Sequence, residues 1–232
     1  MMVSTLEENI FGLPVFRLRI KELESLSETL CDYAREEFKR DREGMVYGPD
    51  TAWHSRSSLH EVEELSFFLS CVDKAISIIW SKVGWDRASH PWQHNALWTN
   101  ISHKTEFTAP HAHWGHAKSN FGGVYYSKAS GNCGDLRFYT PDKHLSSIDG
   151  FSVNKLKPFE RVNFFDLKVN TGDLVIFPNW LRHAALPNFS QEDRISWTFL
   201  AEVTGSGIAA PPLSGLPDPE WSLPDFGSAD GS

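Results

Sequence analysis

Apolar residues early in the chain recur every three or four positions, which is the spacing of an amphipathic helix. In the segment KELESLSETLCDYAREEF the apolar positions are Leu23, Leu26, Leu30, Tyr33 and Ala34. A second segment, EVEELSFFLSCVDKAISIIWSKVG, carries a wider apolar stripe that ends near Gly84, a residue suited to terminate a helix. Both stripes need a surface to pack on, so we expect helices that buttress a β-sheet.

From about Trp92 the pattern changes to short runs rich in β-branched and aromatic residues, separated by Gly, Pro, Asn and Asp. The runs are ALWTNIS, GGVYYS, DLRFYT, DLVIFP and RISWTFLAEV. This alternation is typical of an all-β sandwich or barrel. Between Tyr139 and Asn170 the pattern predicts only two turns and one strand near Asn163–Lys168.

The segment after Gly205 is dense in Pro, Gly, Ser and Asp. Such a composition buries too little apolar surface to offset the entropy of ordering, so residues 205–232 are expected to be a mobile tail. We therefore predict a single domain over residues 1–204, with a helical part over about 1–90 and a β core over about 92–204.

Charge and cysteine content narrow the class of protein. The chain has 232 residues and a formal net charge of −8, without a run of basic residues. It is therefore a poor candidate for binding nucleic acid or an anionic membrane. Cys31, Cys71 and Cys133 are few and widely spaced, and neither a secretory signal nor an apolar span is evident. We expect a cytoplasmic protein.

Three of the ten histidines lie in the segment PHAHWGH, as His111, His113 and His116. His111 and His113 are two residues apart, so in an extended segment both side chains leave the same face. Two imidazoles on one face at the mouth of a barrel form half of a metal site.

A second set of polar residues lies downstream. His183 follows the strand DLVIFP and a turn, and Arg194 opens the strand RISWTFLAEV. Arg194 and Ser196 share one face of that strand, because side chains alternate along it. An inward Arg is costly unless it binds an anion, and a guanidinium can bind a carboxylate through two parallel hydrogen bonds. A nearby hydroxyl can add a third.

These residues resemble a known family, the 2-oxoglutarate- and Fe(II)-dependent oxygenases of the prolyl-hydroxylase-like superfamily. The resemblance rests on the motifs WTN (98–100), HAHWG (111–115), GGVYY (122–126), GDLRF (134–138), GDLVIFPNWLRH (172–183) and RIS (194–196). The segment TAWHS (51–55) is also similar to a family element. Three departures stand out: Gly122 for the usual Ser, Trp114 for the usual Pro, and a short insertion around His116.

The resemblance implies a double-stranded β-helix, a jelly-roll or cupin-like barrel with helices packed outside it. It implies Fe(II) bound by His111 and His183, and 2-oxoglutarate whose distal carboxylate meets Arg194 and Ser196. Further expected contacts to the co-substrate are Tyr125 or Tyr126, of which at least one must face inward, and Asn100. The implied activity is that of a dioxygenase that oxidises a small molecule, most simply by hydroxylation.

The third iron ligand is an open question. The common site has two His and one carboxylate, and here His113 stands where the pattern H-x-D has Asp. We favour His113 as the third ligand because its spacing needs no special turn. His116 is the rival, and water could complete the site. A halogenase would need a small residue at position 113, so halogenation is disfavoured.

Two other functions fit parts of the pattern. A cupin-like dioxygenase that uses three His and no 2-oxoglutarate would account for the histidines, although Arg194 and Ser196 would then have no purpose. The other alternative is not an enzyme: a β-barrel binding or sensing module that keeps a metal ion for stability. Substrate and oligomeric state are not encoded in these motifs.

Overall fold

The computed structural model describes residues 3–10, 13–45, 47–48, 50–82, 84, 86–113, 120–140 and 164–204. The predicted tail 205–232 and His116 lie outside the described residues. In chain order the helices are α1 (Lys21–Arg40) and α2 (Ser66–Lys82), and two 3-10 turns precede α2 at Leu59–Glu61 and Glu63–Leu65. The strands are β1 (Val3–Ile10), β2 (Leu13–Ile20), β3 (Trp53–His54), β4 (Trp92–Ser102), β5 (Thr108–His111), β6 (Phe121–Lys128), β7 (Leu136–Tyr139), β8 (Phe164–Leu167), β9 (Asp173–Pro178), β10 (His183–Ala185) and β11 (Arg194–Val203).

The strands form two antiparallel sheets. The major sheet has seven strands in the order β1-β2-β9-β6-β11-β4-β3, and the minor sheet has four in the order β5-β10-β7-β8. Strands that are distant in sequence are neighbours in both sheets, as in a jelly roll. Within the described ranges, the two sheets are not joined by backbone pairing into a closed barrel.

The outer face of the major sheet packs against the two helices. On β11 this face carries Ile195, Trp197 and Phe199, each 0% exposed. They share one apolar cluster with Leu30 of α1 and Ile76 of α2. The helices therefore buttress the sheet, as their apolar stripes predicted.

The inner face of the major sheet faces the minor sheet across a second apolar cluster. That cluster joins Val124 and Val175 of the major sheet to Leu136 and Phe138 of the minor sheet. Polar side chains replace apolar ones toward β11, where Arg194, Ser196 and Thr198 point inward and line a cavity. The two sheets thus hold a cavity with several polar side chains at one end of an apolar core.

The N-terminal part differs from the sequence prediction. It was expected to be helical up to about residue 90, but β1 and β2 form a hairpin that extends the major sheet through pairing of β2 with β9. The hairpin lies before α1, which covers the segment predicted to be helical and begins at Lys21. The "helical part" is therefore corrected to a hairpin followed by two helices.

Gly122, which stands where the resemblance has Ser, is explained by close packing of β6 against β11. A Cβ atom at this position would lie 2.8 Å from the Leu200 Cδ2 atom and 2.8 Å from the Phe199 carbonyl oxygen. Both distances are too short for carbon, so this chain needs glycine here. Among the described residues, no helix has the length and apolar character needed to cross a bilayer.

Candidate active site

Three imidazoles converge at the rim between the two sheets. The ligand nitrogens of His111, His113 and His183 all lie within 4.8 Å of one another. The pairing of β5 with β10 places His111 directly opposite His183, and their ring centroids are 4.4 Å apart. The backbone N–H of His113 donates to the Asn179 carbonyl at 3.0 Å, which ties the segment after β5 to the turn before β10. Backbone pairing therefore assembles the cluster.

Backbone carbonyls fix the ring orientation of two of these histidines. The His111 Nδ1 atom lies 2.8 Å from the Ala109 carbonyl oxygen, and the His183 Nδ1 atom lies 2.8 Å from that of Leu181. A carbonyl only accepts, so each Nδ1 carries the proton and donates it. The lone pair of each imidazole is then on Nε2, which is the arrangement that metal-binding histidines commonly have.

Burial keeps these imidazoles in the neutral form that binds metals. Desolvation lowers the pKa of His183 well below its usual value, and neighbouring His111 and His113 lower it further. Desolvation also lowers the pKa of His111. Both rings are therefore neutral near pH 7, so a metal ion has no proton to displace from them.

Arg194 lies in the cavity next to this cluster, 2% exposed. Its Nη1 donates to the carbonyls of Cys133, Gly134 and Leu186 at 2.8–3.1 Å, and its Nη2 donates to the Ser102 hydroxyl at 3.0 Å. Every one of these acceptors is neutral. No carboxylate of the described residues lies within 4.0 Å of the guanidinium. Its charge is thus held by neutral acceptors, with Asp135 acting on it only from beyond ion-pair distance, and Nε and one N–H of Nη2 are left for a ligand.

The remaining wall of this cavity is polar on the β4 and β11 sides. The Asn100 Nδ2 donates to the Ser196 hydroxyl at 3.3 Å and to the Thr198 hydroxyl at 3.0 Å. The Asn100 Oδ1 is buried without a hydrogen-bond partner among the described residues. Ser196 and Asn100 therefore line the same cavity as Arg194, together with Ser102 and Thr198.

Of the two candidate tyrosines, only Tyr126 lines the cavity. Its pKa is raised by burial, so the phenol stays protonated. Tyr125 leaves the opposite face of β6 and donates to the Leu23 carbonyl of α1 at 2.7 Å, with the Ser27 hydroxyl 2.8 Å away. Tyr125 is therefore corrected from a co-substrate contact to a residue of the helix–sheet core.

His54 is a cavity residue that the motif analysis did not include. It is 5% exposed, lies on the two-residue strand β3, and donates from Nδ1 to the Ala52 carbonyl at 2.7 Å. Desolvation lowers its pKa to about 4. Strand β3 pairs with β4 so that His54 is opposite Asn100, and this register brings it to the site. The sequence pointed to this region only through the similarity of the segment TAWHS (51–55) to a family element.

Comparison with models of protein families identifies a family that part of this chain is similar to. Residues 96–199 match the sequence model of the family described as "Putative 2OG-Fe(II) oxygenase". The matched range includes the three clustered histidines and Arg194. A search of curated proteins finds no match.

Solved structures share the fold at low identity. The chain is similar to a prolyl-4-hydroxylase from Pseudomonas putida, with 13% identity, a TM-score of 0.54, and coverage of 84% of this chain and 96% of that one. It is similar to SnoK, a non-heme alpha ketoglutarate dependent carbocyclase from nogalamycin biosynthesis, with 14% identity, a TM-score of 0.57, and coverage of 88% and 86%. It is similar to HygX from Streptomyces hygroscopicus, solved with nickel and 2-oxoglutarate, with 13% identity, a TM-score of 0.51, and coverage of 81% and 83%.

A shorter alignment, with an oxidoreductase of the 2OG-Fe(II) oxygenase family from Burkholderia pseudomallei, spans 46% of that protein's length. The predicted double-stranded β-helix is confirmed by the similarity to the longer matches.

Proposed function

We propose that this chain, whose residues 96–199 match the model of the family described as "Putative 2OG-Fe(II) oxygenase", is an oxygenase of that kind in which His111, His113 and His183 bind the iron and Arg194 binds 2-oxoglutarate. The observation that carries the proposal is the shared cavity. One end is formed by the histidine cluster and the other by a buried guanidinium bound by neutral acceptors.

The histidine cluster fits an Fe(II) ion by its chemistry. Imidazole is a common ligand of iron, and two of the three rings already have Nδ1–H bound to carbonyls. At a metal–nitrogen distance near 2 Å, ligand nitrogens at right angles are about 3 Å apart. The observed 4.8 Å limit therefore requires only small side-chain movements to close around an ion.

The guanidinium fits a dicarboxylate ligand. A buried positive charge without an anionic partner is costly, and a carboxylate that meets Nε and Nη2 of Arg194 would offset that cost. The Ser196 hydroxyl lies on the same face of β11, and the protonated Tyr126 phenol lines the same cavity. Both can donate to a carboxylate oxygen.

The roles of the chain's own groups follow from these contacts. Iron(II) in the cluster would supply the redox centre that couples 2-oxoglutarate decarboxylation to reduction of O₂ and oxidation of a substrate. The carbonyls of Ala109 and Leu181 orient the His111 and His183 rings for ligation. The carbonyls around Arg194 aim its free N–H groups into the cavity, so the co-substrate binds in one direction, with one carboxylate away from the histidines.

Three neutral ligands change the charge of the site. A His-His-carboxylate set brings one negative charge to the ion, whereas three imidazoles bring none. Binding of the anionic co-substrate next to the ion is thereby favoured electrostatically.

A three-His dioxygenase without 2-oxoglutarate is the second candidate, and the buried Arg194 is the observation against it. In such an enzyme the Arg194 guanidinium would be bound only by neutral acceptors and would have no carboxylate to pair with. A non-catalytic metal-binding barrel has the same difficulty.

We also propose a small-molecule substrate and a cytoplasmic location. The acidic net charge of −8 disfavours a nucleic-acid substrate, and Cys31, Cys71 and Cys133 are free thiols, which suits a reducing compartment. Structural neighbours described as a hydroxylase and a carbocyclase indicate that the fold accommodates more than one reaction outcome.

The test is succinate formation from 2-oxoglutarate by the purified chain, with Fe(II) and O₂, across a panel of metabolites. We expect formation that requires all three reactants, is stimulated by the substrate, and is lost in His183→Ala. Formation of a product without consumption of 2-oxoglutarate would favour the three-His alternative. Metal-dependent stability without any turnover would favour the binding module.

A further inference from the structure

A second cavity, which we call the outer cavity, opens on the other side of the histidine cluster. It has a volume of about 530 Å³, and is lined by Met45, Tyr47, His54, Ser57, Trp98, Thr108, Ala109, His111, Ala112 and His113. His54, Trp98, Thr108 and His111 also line the cavity that contains Arg194. The proposed iron site therefore lies at the junction of two cavities, one polar and cationic and one facing outward.

The lining of the outer cavity is apolar and aromatic. Met45, Ala109 and Ala112 supply aliphatic surface, and the Tyr47 and Trp98 side chains supply ring surface. None of the described residues that line it is an Asp, Glu, Lys or Arg. A volume of several hundred Å³ with a predominantly apolar lining is typical of a pocket for a small molecule.

Two aromatic side chains lie beside the histidines: Tyr47 is exposed, whereas Trp98 is buried in a small apolar cluster with Ala96 and Leu200. Tyr47 is 61% exposed and its ring contacts that of His54 edge-on, with centroids 4.8 Å apart. The Trp98 ring contacts that of His113 at 5.7 Å. An exposed tyrosine beside a buried histidine provides a wall that has apolar surface to bury when a ligand binds.

His54 supplies a polar group to this lining. Its Nδ1 donates to the Ala52 carbonyl, so in the neutral ring Nε2 carries a lone pair and can only accept. An accepting nitrogen in an apolar pocket selects a ligand that has a hydroxyl or N–H donor at the matching place.

We propose that the outer cavity binds the substrate, and that this substrate is an uncharged, ring-containing molecule with a hydrogen-bond donor directed at His54. The proposal rests on the proposed function, because it takes the histidine cluster as the reactive centre. It deepens that function because, among the described residues that line this cavity, none would pair with the charged groups of a free amino acid. A carboxylate or ammonium there would lose its hydration without gaining an ion pair from the described lining.

The test is isothermal titration calorimetry of the full chain, loaded anaerobically with Fe(II) and 2-oxoglutarate, against three probes of similar size. The probes are 2-naphthol, naphthalene and 2-naphthoate. We expect 2-naphthol to bind most tightly, naphthalene a few-fold more weakly, and 2-naphthoate at least tenfold more weakly. The preference for 2-naphthol over naphthalene should disappear in His54→Leu.

Tyr47→Ala locates the binding site, because an exposed ring can be removed with little risk to folding. It should weaken 2-naphthol at least fivefold, whereas the control Phe67→Ala, which removes a 52% exposed ring from α2, should not. Tighter binding of 2-naphthoate, no binding of any probe, or equal effects of the two variants would overturn the proposal.

Failure here is distinguishable from failure of the proposed function. If succinate forms with Fe(II) and 2-oxoglutarate but no neutral probe binds, the oxygenase stands and the substrate class is wrong. If no such formation occurs in any condition, the proposed function itself is wrong.

Discussion

The residue two positions after His111 sets the charge of the proposed metal site. His113 lies in the cluster with ring centroids 5.0 Å from His111 and 5.2 Å from His183, so no special turn is needed to bring it there. His116, the rival ligand, lies outside the described residues. The third-ligand assignment to His113 therefore stays a prediction that variants can test.

His113→Ala should weaken Fe(II) binding by at least about tenfold, which is roughly 1.4 kcal/mol. His113→Asp should retain Fe(II), because a carboxylate restores the common ligand set. His116→Ala is the matched control and should have little effect. Equilibrium metal titration measures all three, and the assignment is wrong if His116→Ala abolishes binding while His113→Ala does not.

His54 should make the fold sensitive to acid. Its pKa is about 4 in the folded chain against 6.5 as the usual value, so below pH 6.5 the unfolded chain binds a proton that the folded chain does not. The stability that this group contributes is therefore present above about pH 6.5 and is lost as the pH falls toward 4. Between pH 7 and pH 5 the loss is about 2 kcal/mol.

Urea unfolding at the two pH values measures this effect. Between pH 7 and pH 5 the free energy of unfolding should fall by about 2 kcal/mol less in His54→Gln than in the wild type. His60→Gln, at a histidine on the 3-10 turn Leu59–Glu61, is the control for the substitution itself. An unchanged pH dependence in His54→Gln would contradict the assigned burial.

Residue placement was predictable from sequence where strand alternation applies. Arg194 and Ser196 face the cavity while Ile195 and Trp197 face the helices, because side chains alternate along β11. The same rule separated Tyr125 from Tyr126 but could not say which faces inward, since both faces of β6 are buried. His54 was not found because β3 has only two residues, and its position depends on long-range pairing with β4.

At the scale of elements, the loop before β7 is shaped to hold Arg194. Gly134 has φ of +86°, and a Cβ there would collide with the Leu186 carbonyl and lie 2.8 Å from the Arg194 Nη1 atom. Its own carbonyl accepts from Nη1 at 3.1 Å. The glycine lets the loop backbone come close enough to bind the guanidinium.

Gly134→Ala should destabilise the chain by about 1–3 kcal/mol or more and weaken 2-oxoglutarate binding, because it displaces the groups that orient Arg194. Gly131→Ala is a matched control in the same loop. Gly131 also has positive φ, at +61°, but a Cβ there meets nothing within 4 Å. Equal effects of the two substitutions on 2-oxoglutarate affinity would show that backbone strain, not contact with Arg194, is responsible.

Strands whose runs of β-branched and aromatic residues are bounded by turn residues were predicted best. The bounds of β9 and β11 agree with the runs DLVIFP and RISWTFLAEV, since each run is long and bounded by turn residues. The strands β5 and β10 have four and three residues, too few for a periodic pattern, yet they carry His111 and His183. The β1–β2 hairpin was not predicted, although its backbone pairing extends over eight residue pairs.

At the scale of the whole molecule, two sheets form a cavity between them and two helices stabilise the larger sheet from outside. Among the described residues, the two apolar clusters between the sheets and under the helices extend from Val15 to Ala201. The tail 205–232 lies outside the described residues, and its mobility stays a prediction from composition.

Removal of residues 208–232 should leave the melting temperature within a few degrees of the wild type, because a Pro- and Gly-rich segment contributes little buried surface. Thermal unfolding followed by circular dichroism measures this. A decrease of many degrees would mean that the tail docks on the domain.

The central claim is that iron and 2-oxoglutarate bind together in one cavity, and anaerobic titration of 2-oxoglutarate with and without Fe(II) tests it most directly. We predict binding at least about tenfold tighter with Fe(II). Arg194→Met should weaken 2-oxoglutarate binding by about 2–5 kcal/mol and leave Fe(II) binding nearly unchanged. The control Arg40→Met, at a 70% exposed side chain, should leave the affinity for 2-oxoglutarate unchanged. An affinity for 2-oxoglutarate that changes neither on addition of Fe(II) nor in Arg194→Met would contradict the account.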